Sequence, residues 1–407
     1  MTEITDATPT AARNNDARII PLVCAAHFVS HFYILVLPPL FPFIRDFYGV
    51  SYTQLGFALT AFNVTTALCQ TPAGFLVDRI GARSVLVAGL VLGAACLAVV
   101  GSVPSFGLLV VMFAVLGISN AVYHPADYAI LSQLVSAGRA GQAFSVHIFA
   151  GFLGTAVAPA SMLILQQVLG WQGAFLAASV MGLMVAIALT LQPATLFEPP
   201  PKPVRPASEP KDSGWSLLMS APILLNLLFF VMITFSTTGV QNYSVVALHE
   251  AFGTPIGVAN TALTANLMLS AFGVLVGGVI ASRVTRHEWV AALSFLGIAV
   301  TGVAIGIADP GFMLLMALMS LNGFVNGLMQ PSRDMIVRAV TPEGQFGKVF
   351  GFVTTGFNIG GIIAPLMFGY VMDAGHPRGV FYLVGVLSLL AILILLPNFL
   401  RRRAAGA

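Results

Sequence analysis

The sequence predicts an all-α membrane protein of twelve transmembrane helices, built as two pseudo-symmetric six-helix bundles. Three observations lead there. Charged residues make up 8% of the 407-residue chain and hydrophobic residues 57%. Soluble domains carry about 25% charge, so the apolar excess must face lipid. Long apolar runs recur along the whole chain, and its two halves repeat each other at offsets of 206 and 204.

The runs lie near 19–44, 52–77, 84–102, 105–134, 141–168, 172–193, 216–247, 256–281, 289–308, 311–338, 346–372 and 379–399. About 20 helical residues cross a hydrocarbon core of about 30 Å, and most runs reach that length. The dyad alternation of a membrane barrel is absent. Residues Met1–Asp16 are polar and hold no signal-peptide apolar core, so the first helix is expected to act as the insertion signal. When the spans alternate, all of the 18 Lys and Arg except Arg45 and Arg378 fall on one side. That bias predicts a multi-pass protein of the inner (plasma) membrane with both termini cytoplasmic. The net charge of +3 is therefore a topology signal spread over many loops, not a nucleic-acid stripe. Cys24, Cys69 and Cys96 sit inside spans and suggest neither a disulfide framework nor a zinc knuckle.

Residues 194–214 are Pro-rich and charged, a composition that packs no core and reads as a linker. The expected organisation is a cytoplasmic tail (1–18), a six-helix bundle (19–193), the cytoplasmic linker (194–214), a second six-helix bundle (215–400) and a basic cytoplasmic tail (401–407). A shift of 206 superposes Gly117 on Gly323, Asn120 on Asn326, Pro125 on Pro331, Gly138 on Gly344, Gly141 on Gly347, Phe144 on Phe350, Gly154 on Gly360 and Pro159 on Pro365. A shift of 204 superposes Leu59–Ala61 on Leu263–Ala265, Gly74 on Gly278 and Arg79 on Arg283. Parallel six-helix repeats point to halves that rock about a site near the membrane midplane.

The loop after the second span reads Gly74-Phe-Leu-Val-Asp78-Arg79-Ile-Gly81-Ala82-Arg83. It resembles the signature of the major facilitator superfamily, departing from it at Ala82. The resemblance implies the major facilitator fold and a cytoplasmic gate made by Gly74, Asp78, Arg79, Gly81 and Arg83. In it Asp78 would meet the other half near the start of the eleventh helix, and the arginines would meet anionic headgroups or carboxylates. A loop cluster that merely fixes topology is the other reading. Three further stretches, His27–Tyr33 with Leu37–Pro42, Ser51–Gly56 and Tyr123-His124-Pro125, are similar to the fosmidomycin-resistance group of exporters, mainly in the N-terminal half. That group tends to carry Asp where this chain has His31.

Ionisable groups at bilayer depth are costly and point to function by default. His27 and His31 share a face of the first helix, and Asn120, His124 and Asp127 share a face of the fourth, with Tyr123 alongside. His147 lies two turns into the fifth helix, so His27, His124, Asp127 and His147 are expected at similar depth. Three readings stay open. They are a proton relay with substrate contact, a transition-metal site, and histidines that bond backbone carbonyls at helix crossings. The Met residues are scattered, so no metal ligand is assigned. At the 206 offset Asp127 falls on Arg333 and His124 on Gln330, with Asn326 opposite Asn120. Asp127 and Arg333 are thus expected to attract when the cytoplasmic side closes. A local Arg333–Asp334 pair is one alternative, and Arg333 meeting an anionic substrate is another. Asn358 in the eleventh helix is a further cavity residue.

No phosphate-cradling Gly-x-x-x-x-Gly-Lys-Ser/Thr and no hydrolase motif occurs, so the chain is expected to be no enzyme and to need no cofactor. The resemblance implies a secondary transporter working by alternating access on a small organic, anionic or amphiphilic solute. Protons would be the coupling ion, and the direction leans to efflux antiport. Import of organic acids or other nutrients is the first alternative. A transport-inactive sensor or a transition-metal transporter is the second. The expected partners are the small-molecule substrate, protons and membrane lipids, with no nucleic acid and a monomeric working unit.

Overall fold

The computed structural model describes residues 9–197, 215–307, 309–342 and 346–405. Among them the regular structure is helical throughout. The N-terminal half holds α1 (Pro9–Ile34), α2 (Phe41–Tyr48), α3 (Tyr52–Ile80), α4 (Ala82–Ser102), α5 (Phe106–Ala121), α6 (Tyr123–Leu134) and α7 (Ala137–Thr190). The C-terminal half holds α8 (Trp215–Leu218), α9 (Ala221–Thr238), α10 (Ser244–Phe252), α11 (Ile256–Ala281), α12 (His287–Ile307), α13 (Gly311–Val340), α14 (Phe346–Asp373) and α15 (Arg378–Ala405). Most of the expected linker, from residue 198, lies outside the described residues.

Among the described residues ten stretches are long and apolar enough to cross a membrane. One of them, Gly138–Thr190, has 53 residues, far more than one crossing needs. It turns at Gly170, whose φ of 73° and ψ of 169° suit a residue without Cβ. Its start lies beside Asp16 through Ser136, its middle beside Phe47 and Tyr48 through Trp171, and its end beside Arg83 through Leu189. The stretch therefore crosses and returns. With α3, a 29-residue helix whose Asn, Thr, Gln and charged residues lower its hydropathy, this gives the twelve crossings.

Three local departures from the expected boundaries have physical causes. The fourth span is two helices, because Pro125 cannot donate to the carbonyl of Ala121 and the chain breaks at Val122. Residues of the expected N-terminal tail instead begin α1 at Pro9, and Asp16 is buried. Its carboxylate accepts from Ser136 N at 3.1 Å and Ser136 Oγ at 2.5 Å, with Arg139 3.8 Å away. That docking supplies an acceptor to the free N–H groups that open α7. At the other terminus α15 continues through Arg401–Arg403 to Ala405, where a separate tail was expected.

Within each half, helices approach at glycine. A Cβ on Gly323 would run into the Asn266 carbonyl, one on Gly327 into the Ser270 carbonyl, and one on Gly117, the repeat mate of Gly323, into the Phe62 carbonyl. Such contact distances come from small residues at helix crossings. Gly323→Ala is expected to force α11 and α13 apart at a cost of about 1–3 kcal/mol. The variant should melt several degrees below the parent in detergent; an unchanged melting temperature would show the crossing can relax.

Candidate functional site

The two halves meet along α3 with α14 and along α7 with α11. Their mutual hydrogen bonds gather at one end, opposite the end that carries Arg83, Arg139 and Arg338. Arg45 donates to Glu250 at 2.9 Å, and Tyr52 Oη donates to the same carboxylate at 3.0 Å. Asp373 accepts from the backbone N–H of Tyr52 and of Thr53, each at 2.8 Å, and from Thr53 Oγ1 at 2.5 Å. Those are the free N–H groups at the start of α3, where a carboxylate is favoured. Deeper in, Thr60 Oγ1 donates to Ile362 O at 2.9 Å. A Cβ on Gly56 would strike Pro365 O, one on Gly369 would strike Thr53, and one on Gly361 would strike Asn63. Sequence reasoning does not find this latch. The signal available is Arg45 itself, a rare basic residue on its side, with Glu250 and Asp373 at helix ends nearby.

Toward the basic end the halves part. Asp78 and Arg79 at the foot of α3 are exposed, as are Phe75 and Leu76. A Cβ on Gly74 would touch nothing, and Gly81 turns the chain into α4 at φ 90°. Arg83 faces its own half, donating through Nη2 to the carbonyls of Leu189, Thr190 and Gln192 at 2.6–3.0 Å. It closes the C-terminal end of α7, where a cation is favoured.

Between the latch and the opening, the expected ionisable residues of α1, α6 and α7 converge. Asp127 is fully buried. A single oxygen, Oδ2, lies 3.1 Å from His147 Nε2 and 3.2 Å from His27 Nδ1. The His27 and His147 rings stack at 3.7 Å between centroids. His31 follows at 4.5 Å from His27 and His124 at 5.2 Å. His31 Nδ1 lies 3.1 Å from Thr155 Oγ1, a partner two turns beyond His147 on α7 that the periodicity could have shown. Gly151 leaves room for this packing, since a Cβ there would strike the His27 and His31 rings. Asn120 accepts from Ser30 at 3.1 Å, and Tyr123 is buried beside the cluster. The half-buried His124 stacks on exposed Tyr128, which leads out toward the opening.

Across the gap, Arg333 bonds Asp334 at 2.9 Å and lies over the rings of Phe230 at 4.9 Å and Phe357 at 5.3 Å. The local alternative, Arg333 with Asp334, is thus formed in this conformation, and the Asp127–Arg333 pair is not. Asn326 donates to Ser270 at 3.4 Å, and Gln330 and Asn358 are half-buried. Asn326 also borders a small polar cavity with Gln241, Asn266, Asn322, Ser236 and Thr237.

Comparison with known proteins agrees with this architecture. The sequence model of the Major Facilitator Superfamily matches residues 23–243 and 227–406. The fosmidomycin resistance protein of Escherichia coli K12 is 24% identical over 407 residues, covering 93% of each chain. A probable sulfoacetate transporter of Cupriavidus necator is 24% identical over 87% of each. The D-galactonate transporter of Escherichia coli O6:H1 is 22% identical over 85% of this chain and 88% of that one. In fold, the chain is similar to a bacterial homologue of the human lysosomal transporter Spinster in an inward-facing, occupied conformation. That match has a TM-score of 0.80 at 14% identity, over 95% of this chain and 97% of the other.

Proposed function

We infer the working cycle from the premise that this chain belongs to the Major Facilitator Superfamily, is a transporter of small organic solutes and is not an enzyme. The solute is a small organic anion and the coupling ion a proton. The bias of basic residues supports an orientation with the Arg83 end, and both termini, on the cytoplasmic side of the inner membrane. The conformation is then open inward, with the Arg45–Glu250 and Asp373 contacts holding the outer side shut. One chain supplies both halves of the path, so the working unit is a monomer.

The observation that carries proton coupling is Asp127 Oδ2 within 3.2 Å of two imidazoles. An imidazole N–H donating to a carboxylate and a carboxylic O–H donating to an imidazole differ only by the place of one proton. Asp127 cannot hold that geometry and also reach Arg333. Closure of the cytoplasmic side, with Asp78 meeting the other half, therefore exchanges the histidine contacts for the charge pair. Arg333, between two aromatic rings, offers a planar fork to a carboxylate, sulfonate or phosphonate before that closure. The relative associated with fosmidomycin resistance favours efflux by antiport. The sulfoacetate and D-galactonate relatives favour the second reading, import by symport.

Purified protein in liposomes, given an imposed pH gradient and a panel of sugar acids, sulfonates and phosphonates, tests the reading. Movement of one panel member that follows the gradient is expected, and equal movement with and without it refutes proton coupling. Arg333→Lys should weaken that anion's binding by about tenfold, because an ammonium keeps the charge and loses the bidentate fork. The ligand-induced thermal shift reads the change.

A further inference from the structure

We propose that His27, Asp127 and His147 form a binding site for a divalent transition-metal ion, zinc by its donor set, that displaces the proton of the cluster and arrests transport. The arrest rests on the proton-coupling reading above; the binding does not.

The geometry fits a metal ion, and only one of its two nitrogen–oxygen contacts is a hydrogen bond. Two imidazole nitrogens and one carboxylate oxygen, one from each of α1, α6 and α7, lie within 4.8 Å of one another, and all three residues are buried. Zinc binds such ligands at about 2.0–2.2 Å in a tetrahedron, whose edges are then about 3.3 Å. The two nitrogen–oxygen separations, 3.2 Å and 3.1 Å, are already close to such edges. His27 Nδ1, although 3.2 Å from Oδ2, has no hydrogen-bond partner. A nitrogen at that distance without hydrogen-bond alignment is left wanting a ligand, and burial makes the lack costly. Asp127 Oδ1, His147 Nδ1 and His124 Nδ1 are buried without partners as well. A solvent molecule from the opening completes four-coordination.

The donor set discriminates among cations. Two imidazoles and a carboxylate suit zinc, cobalt and copper. Magnesium keeps oxygen ligands and most of its water, so it does not compete. A metal at this point needs Asp127 deprotonated and both facing nitrogens free of protons, so metal and proton exclude each other. It also ties α6 to α1 and α7, which prevents Asp127 from leaving to meet Arg333.

The test uses the full-length protein in detergent, titrated with cobalt chloride and then zinc chloride, with magnesium chloride as control. Cobalt should bind one to one with the strong visible absorption of a tetrahedral site, and zinc should displace it. His27→Gln with His147→Gln should weaken binding by more than about 100-fold, since loss of an outer-shell partner alone costs 10–100-fold. Asp127→Asn, which preserves shape, should weaken it likewise, and both variants are checked for an unchanged elution profile. Absence of the tetrahedral spectrum, or binding that survives in both variants, overturns the site. In liposomes, zinc should reduce pH-gradient-driven flux at least tenfold. Zinc bound without loss of flux overturns the arrest. Flux that ignores the gradient before zinc is added refutes the proton-coupling reading, while the cobalt spectrum still decides whether the site binds metal.

Discussion

On the proton-coupling reading, Asp127→Asn is expected to cut solute movement driven by a pH gradient at least tenfold while the protein stays folded. Asp127 bonds His147 at 3.1 Å, has His27 Nδ1 3.2 Å away and is sealed from solvent. Asparagine keeps its shape but cannot take up or release a proton. Hydrogen bonds to a charged group contribute about 1.5–3 kcal/mol each, so the loss at the working step is tenfold or more. The fold should tolerate it, because the substitution removes a buried charge and leaves none unpaired. Replacing both His27 and His147 by Ala does the opposite. It strands Asp127 in the core at a cost of about 3–5 kcal/mol and should lower the melting temperature. Gradient-driven uptake and thermal unfolding, measured on the same preparations, separate the two. Normal flux in Asp127→Asn would return the cluster to a purely structural role.

Asp373→Ala is expected to shift the resting conformation away from the one in which the halves meet at the Arg45 end. The Asp373 carboxylate fastens the start of α3 through two backbone N–H groups and a hydroxyl, contacts that require the two halves to meet at that end. Losing them is expected to cost that state about 3 kcal/mol, a change of about 100-fold in the equilibrium. Spin labels placed at Asp46 and Ala374, both exposed near the latch, should show a longer distance emerging in the variant. An identical distance distribution would mean that other contacts hold the outer side. Glu250→Gln should act in the same direction and more weakly, since Arg45 and Glu250 are partly solvated.

Much of the fold was legible because lipid imposes it. Apolar length set the spans. The histidine cluster was legible by depth alone: equal counts along α1, α6 and α7 put His27, Asp127 and His147 at one level. What one dimension could not supply was which side chains turn toward one another. Arg83 illustrates this. Its motif suggested a gate, and in this conformation it instead closes the end of α7. The prolines teach the same lesson. Pro125 and Pro331 are repeat mates, yet only the first breaks its helix. Gly327, at the carbonyl Pro331 cannot use, presses α13 against α11, and that packing overrides the local cost. The latch joins Arg45 and Tyr52 to Glu250, some 200 residues apart in sequence, and only the assembled halves reveal it.

Asp127 is the only carboxylate that touches the histidine pair among the described residues. On the proton-coupling reading, one acid there gives one exchangeable proton per turnover, which predicts an electrical signature. A monovalent anion carried together with that proton moves no net charge, so flux would ignore the membrane potential. The same anion exchanged against the proton shifts two charges per cycle and generates a current. The dependence of flux on an imposed membrane potential therefore distinguishes symport from antiport.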